Sequence, residues 1–579
     1  MLILFCPLMA GAVPIRNIIL SGNESFSDKQ LIALMETQVG KDYDEAVLKA
    51  DFDRILNFYR KNGFPFARID EKQLRIRKFP EGVYILTIPI DEGTIKKITV
   101  IGNTRTRDSV IIRELLFEVG DIYTVEDELE SERILRRKAY LGTAEVEAAW
   151  DEEMLGVWIT VIVTDLWTLI PALDVPAFSN DSSNFFVQLA DSNVFGSGNF
   201  ARFRYQRVDE EGEKPRSLIL SRYMIPRLLE SHWVFDGEYT QKQKGDSWEV
   251  RLGRPQYSLK THWSADFRMA ASFNDENWYN DGKLTATAER RSQFYFGNVS
   301  RIFGDRHRQI ELSLWTSSLQ KRYTEIQKLG PSNAEFRDRD INMIGVSLGR
   351  REVDFIRTRF LNRMGRVEDI GVGHVYSASI GYASPLYGAD RSDVSLNLLF
   401  GLSQARRDRL FLQGQTDLRL WESFSDLIWN ATLKLVRKDL FYQTFAAQIS
   451  TIMEFGLSGE SQVSLGGLNG LRGYGPRRFD GEKAVLLNLE SRTIFRGGIF
   501  RTISPWIVFG SALFVDVGYV WRGEQLDLRE PRRSVGFGIR ASIPKLSGSR
   551  VYRLDLAYPL DDPEKSSKPV LTYGIGHLF

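Results

Sequence analysis

Few residues of this chain are typed and spaced for covalent chemistry. The five histidines, His232, His262, His307, His374 and His577, are scattered without a metal-ligand spacing, and the single cysteine, Cys6, lies in the first ten residues. A thiol nucleophile and a Cys-based structural zinc site are therefore excluded from the rest of the chain. No Gly-x-Ser-x-Gly elbow falls in an α/β setting, and the Gly-rich stretch 466–475 lacks the Lys-Ser/Thr ending of a phosphate loop. No enzyme activity, metal or cofactor is expected. The spacing that does carry chemistry is electrostatic. In Leu487-Asn488-Leu489-Glu490 and Val515-Asp516-Val517-Gly518 apolar and polar residues alternate, so Glu490 and Asp516 leave the apolar face together. Two carboxylates on one side of a sheet could bind a guanidinium through charge-assisted hydrogen bonds that lysine matches poorly, or could simply line a wet pore.

The elements that position these groups must fit 579 residues, room for several domains. Hydrophobic residues at 43% and charged residues at 26% exclude a disordered tail and a conventional helical membrane protein. Lys+Arg (76) and Asp+Glu (75) balance to a net charge of +1, which argues against nucleic acid or an acidic ligand as partner. The mean hydropathy of −0.24 does not mean soluble. A barrel strand crosses a bilayer with roughly 9 to 11 residues, of which only alternate ones face lipid, and 12% aromatic residues could furnish interfacial girdles. Residues 1–12 read as a secretory signal: an apolar run over 2–11 ends in Ala10-Gly11-Ala12. The mature chain would start near Val13, and the lack of a basic residue ahead of the run leaves a start upstream of Met1 open.

A shift of 80 residues superposes Gly22-Asn23 on Gly102-Asn103, Gly40 on Gly120 and Tyr43 on Tyr123. Each copy opens with a strand-like run (15–20 or 95–101) and closes with another (83–90 or 157–163), with helical segments between. In the first, Asp44 is placed to cap a helix whose apolar face is Leu48, Phe52, Ile55 and Phe58. This gives two small α/β modules, 13–92 and 93–165, whose order of elements resembles POTRA domains. Spacers or docking modules for another subunit would show the same pattern.

From residue 166 to 579 the period becomes two. Phe203 and Tyr205 alternate with Arg202 and Arg204, and Leu554, Leu556 and Tyr558 with Asp555 and Ala557. A soluble sandwich would alternate likewise. Divided among sixteen strands, this region leaves about 26 residues for each strand and its connection, enough for a membrane barrel. The apolar window 505–521 includes Asp516, Gly510 and Gly518, so it is expected to be strand rather than a spanning helix.

The stretch Gly466-Gly467-Leu468-Asn469-Gly470-Leu471-Arg472-Gly473-Tyr474 resembles the Arg-Gly-Tyr/Phe loop signature of the BamA and TamA superfamily of outer-membrane assembly factors. Asn488-Leu489-Glu490, Phe514-Val515-Asp516-Val517-Gly518, Ser534-Val535-Gly536-Phe537-Gly538-Ile539-Arg540 and Leu556-Ala557-Tyr558-Pro559 follow in the order of that family, and Asp191-Ser192-Asn193-Val194-Phe195-Gly196-Ser197-Gly198 resembles an early strand and turn. The resemblance implies two POTRA domains followed by a transmembrane antiparallel β-barrel of sixteen strands. It makes Arg472 the luminal cation, Glu490 and Asp516 its partners, Gly473 the turn against the wall and Tyr474 the packing residue beside it. The last strand places Leu571, Tyr573, Ile575 and Phe579 on one face, as in barrel targeting signals, with His577 departing from that pattern.

What the resemblance implies of function is insertion of unfolded outer-membrane or secreted clients at a weak seam between a first strand around 167–178 and a last around 570–579. Clients, outer-membrane lipid and accessory periplasmic or inner-membrane subunits would be the partners, in the outer membrane of a Gram-negative-type bacterium. A two-partner-secretion channel and a passive porin or surface antigen are the rival readings.

Overall fold

The computed structural model describes residues 14–579 apart from 80–82, 175–181, 211–215, 244, 281, 422–425, 441–442, 457–458, 460, 496–505, 524–528, 549, 562–567 and 578–579. The expected signal segment, Cys6 and Phe579 lie outside the described residues. Contacts divide the chain into two units, residues 1–165 and 166–579.

The first unit holds the two repeats. In the first, β1 (Ile15–Ser21), α1 (Asp28–Ile32), α2 (Glu45–Lys61), β2 (Arg68–Ile69), β3 (Arg75–Lys78) and β4 (Tyr84–Asp91) build a sheet in which β1 runs parallel to β4, with β2 and β3 antiparallel to it. In the second, β5 (Ile95–Ile101), α3 (Asp108–Ile112), α4 (Val125–Arg136), β6 (Leu141–Asp151) and β7 (Gly156–Asp165) pair in the order β5-β7-β6. The Asp44 carboxylate caps α2, accepting from the N–H groups of Ala46 (2.8 Å) and Val47 (3.3 Å). Leu48, Phe52 and Ile55 are buried as the period requires, but the fourth core residue is Tyr59 rather than Phe58, because eleven residues close three helical turns better than ten.

The repeat is physical as well as textual. Gly22 (φ 84°) and Gly102 (φ 88°) hold a left-handed conformation, and a Cβ on either would lie 2.2 Å from a carbonyl oxygen, of Ile90 or Val163. Asn23 and Asn103 then bridge the same two positions of the next turn, Phe26 and Asp28 or Thr106 and Asp108. A carboxylate at the end of each module gathers the N–H groups of this loop. Glu92 accepts from Ser25 N, and Asp165 accepts from Thr104, Arg105 and Thr106 N at 2.7, 2.6 and 3.0 Å.

The second unit is a closed antiparallel ring. Among the described residues it has twenty strands, not the sixteen expected. The expectation failed because the average of strand and connection is about 21 residues: strands near the start have only 8 to 11 residues, with turns as tight as that at 305–307. Strands Trp263–Asn280, Lys283–Gly304, Arg308–Lys328 and Arg339–Arg359 are 18 to 22 residues long, about twice what crosses a bilayer. Within the window 505–521, Val508–Trp521 is strand, and no helix among the described residues is long and apolar enough to cross a membrane.

Alternation sorts the two faces of the ring. Leu189, Phe203, Tyr205, Tyr223, Val250, Phe267, Val346, Leu433, Leu489, Val515, Phe537 and Leu556 stand exposed on the outside, the surface a bilayer would cover. Intervening positions carry cross-strand ion pairs such as Arg202–Glu238 (2.8 Å), Arg222–Asp236 (2.6 Å) and Arg290–Glu276 (2.9 Å). The outer and inner faces thus have opposite polarity, which a water-soluble sandwich core would invert.

Candidate functional site: a luminal arginine and its acidic wall

The chain between strands Gln443–Phe455 and Lys483–Ile494 leaves the mouth of the ring opposite to the one at which residue 166 enters, here the far mouth, and folds back into the lumen. A short antiparallel pair, Val463–Leu465 with Phe479–Gly481, narrows the loop, and a 3-10 turn at Gly467–Asn469 delivers the tip. Val463, Leu465, Leu471, Tyr474, Ala484 and Leu486 form the apolar cluster that seats it. The rigid wall and this cluster fix the approach of Arg472.

The tip places Arg472 at 0% exposure among the residues expected of it. Its Nε and Nη2 donate to the two Asp516 carboxylate oxygens, both at 2.8 Å, and Nη1 donates to Glu490 Oε1 at 2.7 Å. The Arg472 backbone N–H also donates to Asp516 (3.2 Å), so main chain and side chain read one carboxylate. The guanidinium lies 3.4 Å from the ring centroid of Phe514, an inward residue two positions from Asp516. Asn488 ties the arrangement together: its amide donates to Asp516 (2.8 Å) and to the Gly470 carbonyl (2.9 Å). Gly473 has φ 87°, and a Cβ there would sit 3.2 Å from that of Ser534 and 3.3 Å from Pro559 N. Only glycine fits so close to the wall without strain. The Tyr474 hydroxyl donates to the Arg533 carbonyl at 2.8 Å, and its ring meets Phe479 edge-on.

The network is wider than the sequence reading. Asp555 accepts from Arg540 (2.5 Å) and Arg553 (2.8 Å), stands 3.5 Å from Arg472, and is fully buried. Arg492 donates to Glu490 at 2.7 Å. Four arginines and three carboxylates thus interlock across strands Lys483–Ile494, Val508–Trp521, Arg532–Ser542 and Val551–Pro559. Asp555 and Arg540 were missed, although outward Leu554, Leu556 and Ile539 imply by parity that both face inward. At the last strand, Tyr573 and Ile575 are exposed on the outer face with Leu571 in phase and half-buried, and the run ends at Gly576 in the left-handed region (φ 94°).

The arrangement is one of opposite charges shielded from water, with Arg472 held in bidentate geometry on Asp516.

Comparison with known proteins agrees in kind. The POTRA family, described as a surface antigen variable number repeat, matches residues 13–93 and 94–165. A Treponema pallidum (strain Nichols) protein named as an outer membrane protein assembly factor is 21% identical over 262 residues, 44% of this chain, and the match spans only 31% of that relative's length. Among solved structures the chain is similar to CdiB from Escherichia coli (14% identity, TM-score 0.49, covering 100% of this chain and 92% of that one). It is also similar to BamA from Haemophilus ducreyi lacking POTRA domains 1-3 (14% identity, TM-score 0.35, 98% and 99%). The chain thus carries two domains of the POTRA family ahead of a closed antiparallel ring.

Proposed function

We propose that the protein is an outer-membrane assembly factor of a Gram-negative-type bacterium. Its POTRA domains, in the periplasm, receive unfolded barrel or secreted clients, which then enter the bilayer at the seam of the ring. The observation that carries this reading is the seam itself. The ring closes between the strand that begins at Leu169 and Val570–Ile575, which at six residues is the shortest ring strand described at both ends. A short ladder is the one most easily exchanged for pairing with a client strand. The work needs no nucleotide and no covalent step, so the protein is not an enzyme; burial of client apolar surface and satisfaction of its backbone groups in lipid supply the drive.

A channel that exports a secreted partner is the second reading. It draws on the width of a twenty-strand ring and on the ion pairs lining it. Depletion followed by quantitative outer-membrane and secreted proteomes separates the two. Insertion predicts a fall in several barrel proteins, whereas export predicts loss of one secreted protein with barrels unchanged. Wild-type levels of all of them would sink both.

A further inference from the structure

The lumen holds a second inward element, at the opposite mouth from the Arg472 loop. Strand Arg339–Arg359 pairs with its predecessor only as far as Glu352, and strand Val367–Ala383 pairs with its successor only from Gly373. Between these points the two strands remain paired to each other, from Val353↔Gly373 to Arg359↔Val367. Residues 353–372 are therefore a hairpin that leaves the wall at the near mouth, where residue 166 enters the ring, its base tied to the preceding turn by the Val353 N–H on the His307 carbonyl (3.1 Å).

The hairpin goes inward. Leu361 and Ile370 pack in one buried cluster with Phe411, Val436 and Ala446, three inward residues of three successive wall strands. Lys438, also inward and buried, donates to the Arg359 carbonyl (2.9 Å) and to the Thr358 hydroxyl, and Lys434 donates to Asn362 Oδ1 (3.0 Å). The tip reaches still further around the ring. Met364 is buried, and a Cβ on inward Gly510 would lie 3.2 Å from its Cε; a Cβ on Gly365 would lie 3.0 Å from Pro544. Strands Leu410–Trp421, Asp426–Leu440, Gln443–Phe455 and Val508–Trp521 and the turn after Arg532–Ser542 are thus touched by one hairpin. The Glu368 carboxylate fixes its shape, accepting from the N–H groups of Leu361 (3.1 Å), Asn362 (3.1 Å) and Arg363 (3.2 Å). The shelf is shared: Ala446, under Leu361, is the register partner of Glu490, which binds Arg472.

We propose that residues 353–372 are a plug that closes the near mouth of the lumen and bars passage of solute or polypeptide from that side. Its seat is the luminal row from Phe411 to Gly510, and Lys438 is its latch. Luminal passage would require the plug to leave, while a client inserted at the seam would not disturb it. The proposal rests on the barrel alone and stands whichever client route is correct.

Accessibility of a luminal cysteine tests it. Gln448→Cys, placed in the polar recess of about 610 Å³ lined also by Gln413, Gln415, Asn430 and Thr432, is introduced into the full chain with Cys6→Ser. The protein is reconstituted in vesicles with the POTRA domains outward, and a membrane-impermeant maleimide is added outside. Labelling is expected to be at least tenfold slower than at Arg306→Cys, which lies in the near-mouth turn 305–307, outside the lumen. Shortening the hairpin by residues 358–366 is expected to raise the rate at Gln448→Cys at least tenfold. Lys438→Met, which leaves the chain length unchanged, is expected to raise it at least threefold. Heat-modifiable migration reports that each barrel is folded. Parental labelling as fast as at Arg306→Cys, or folded variants labelling no faster than the parent, would overturn the plug.

Discussion

A lysine at position 472 would keep the charge and lose the fork. Asp516 takes both Nε and Nη2, and Glu490 takes Nη1, so three donors in one plane are in use at once. Arg472→Lys is expected to leave a folded barrel with weakened loop seating, whereas Arg472→Ala leaves the buried Asp516 carboxylate without its cation and is expected to destabilise the barrel by about 3–5 kcal/mol. The temperature at which the folded band is lost in heat-modifiable electrophoresis checks both, and the double variant with Asp516→Ala should lose less than the sum of the singles. Equal loss temperatures for wild type and Arg472→Ala would remove this stabilising pair from the account. At the neighbouring position, Gly473→Ala places a side chain at φ 87° and is expected to cost about 1–2 kcal/mol on the same assay. Glu490 and Asp516 were legible because each follows a leucine or valine that faces outward, so parity alone turns them inward. Their shared partner was not legible from parity: 18 residues separate Arg472 from Glu490 and 44 from Asp516, and only the resemblance supplied the pairing. Asp555, 83 residues away, carried the same parity signal and lacked any cue to join it to the loop.

At the scale of elements, the two POTRA loops are held by carboxylates whose protonation they resist. Burial pushes the Asp165 carboxyl up, but the Thr106 hydroxyl and the N–H groups of Arg105, Thr106 and Thr104 outweigh it and hold it below its usual value of 3.8. Asp51 behaves alike: burial raises it, and the N–H groups of Glu36 and Thr37 with Arg54 bring it below 3.8. A carboxylate depressed in the folded state stabilises fully above the unfolded value and loses that contribution as pH falls through the folded one. Amide exchange of residues 104–106 is therefore expected to be unchanged from pH 7 to about 5 after correction for intrinsic rates, and to accelerate below about 4. In Asp165→Asn the acceleration below pH 4 should be reduced and exchange at pH 7 faster. The 80-residue repeat was legible because Gly22 and Gly102 answer to the same carbonyl clash. Two-residue β2 was not, being too short to show a period. Nor was the strand count, since ring strands run from 6 to 22 residues and an average cannot resolve them. The luminal hairpin was hidden for a different reason: its residues alternate like those of any wall strand, and only the end of its pairing at Glu352 and Gly373 reveals that it departs.

For the whole molecule the question is where a closed ring yields. The last ring strand, Val570–Ile575, pairs with its predecessor over six residues and meets the first strand at the closure. The base of this seam is clasped by the turn between strands Arg532–Ser542 and Val551–Pro559. Trp167 N–H donates to the Lys545 carbonyl (2.7 Å), Ser547 N–H donates to the Trp167 carbonyl (2.9 Å), and the Ser192 and Ser547 hydroxyls meet at 2.6 Å. Trp167 also lies against Trp506, over which the Lys545 ammonium sits at 4.5 Å. The seam is thus fastened at the near mouth and short above it, so opening should begin at the far mouth and be resisted by the clasp. Cysteine pairs scanned along Leu169–Asp174 and Val570–Ile575 are expected to crosslink, to reduce client insertion to the level of depleted cells, and to recover on reduction. Removing one clasp contact by Ser547→Pro, which deletes the N–H donor, should act in the opposite sense and raise outer-membrane permeability to large antibiotics while the barrel stays heat-modifiable. Undiminished insertion by a quantitatively crosslinked barrel would show that clients do not pass through this seam, and the export channel would then be the reading left to test against the luminal plug.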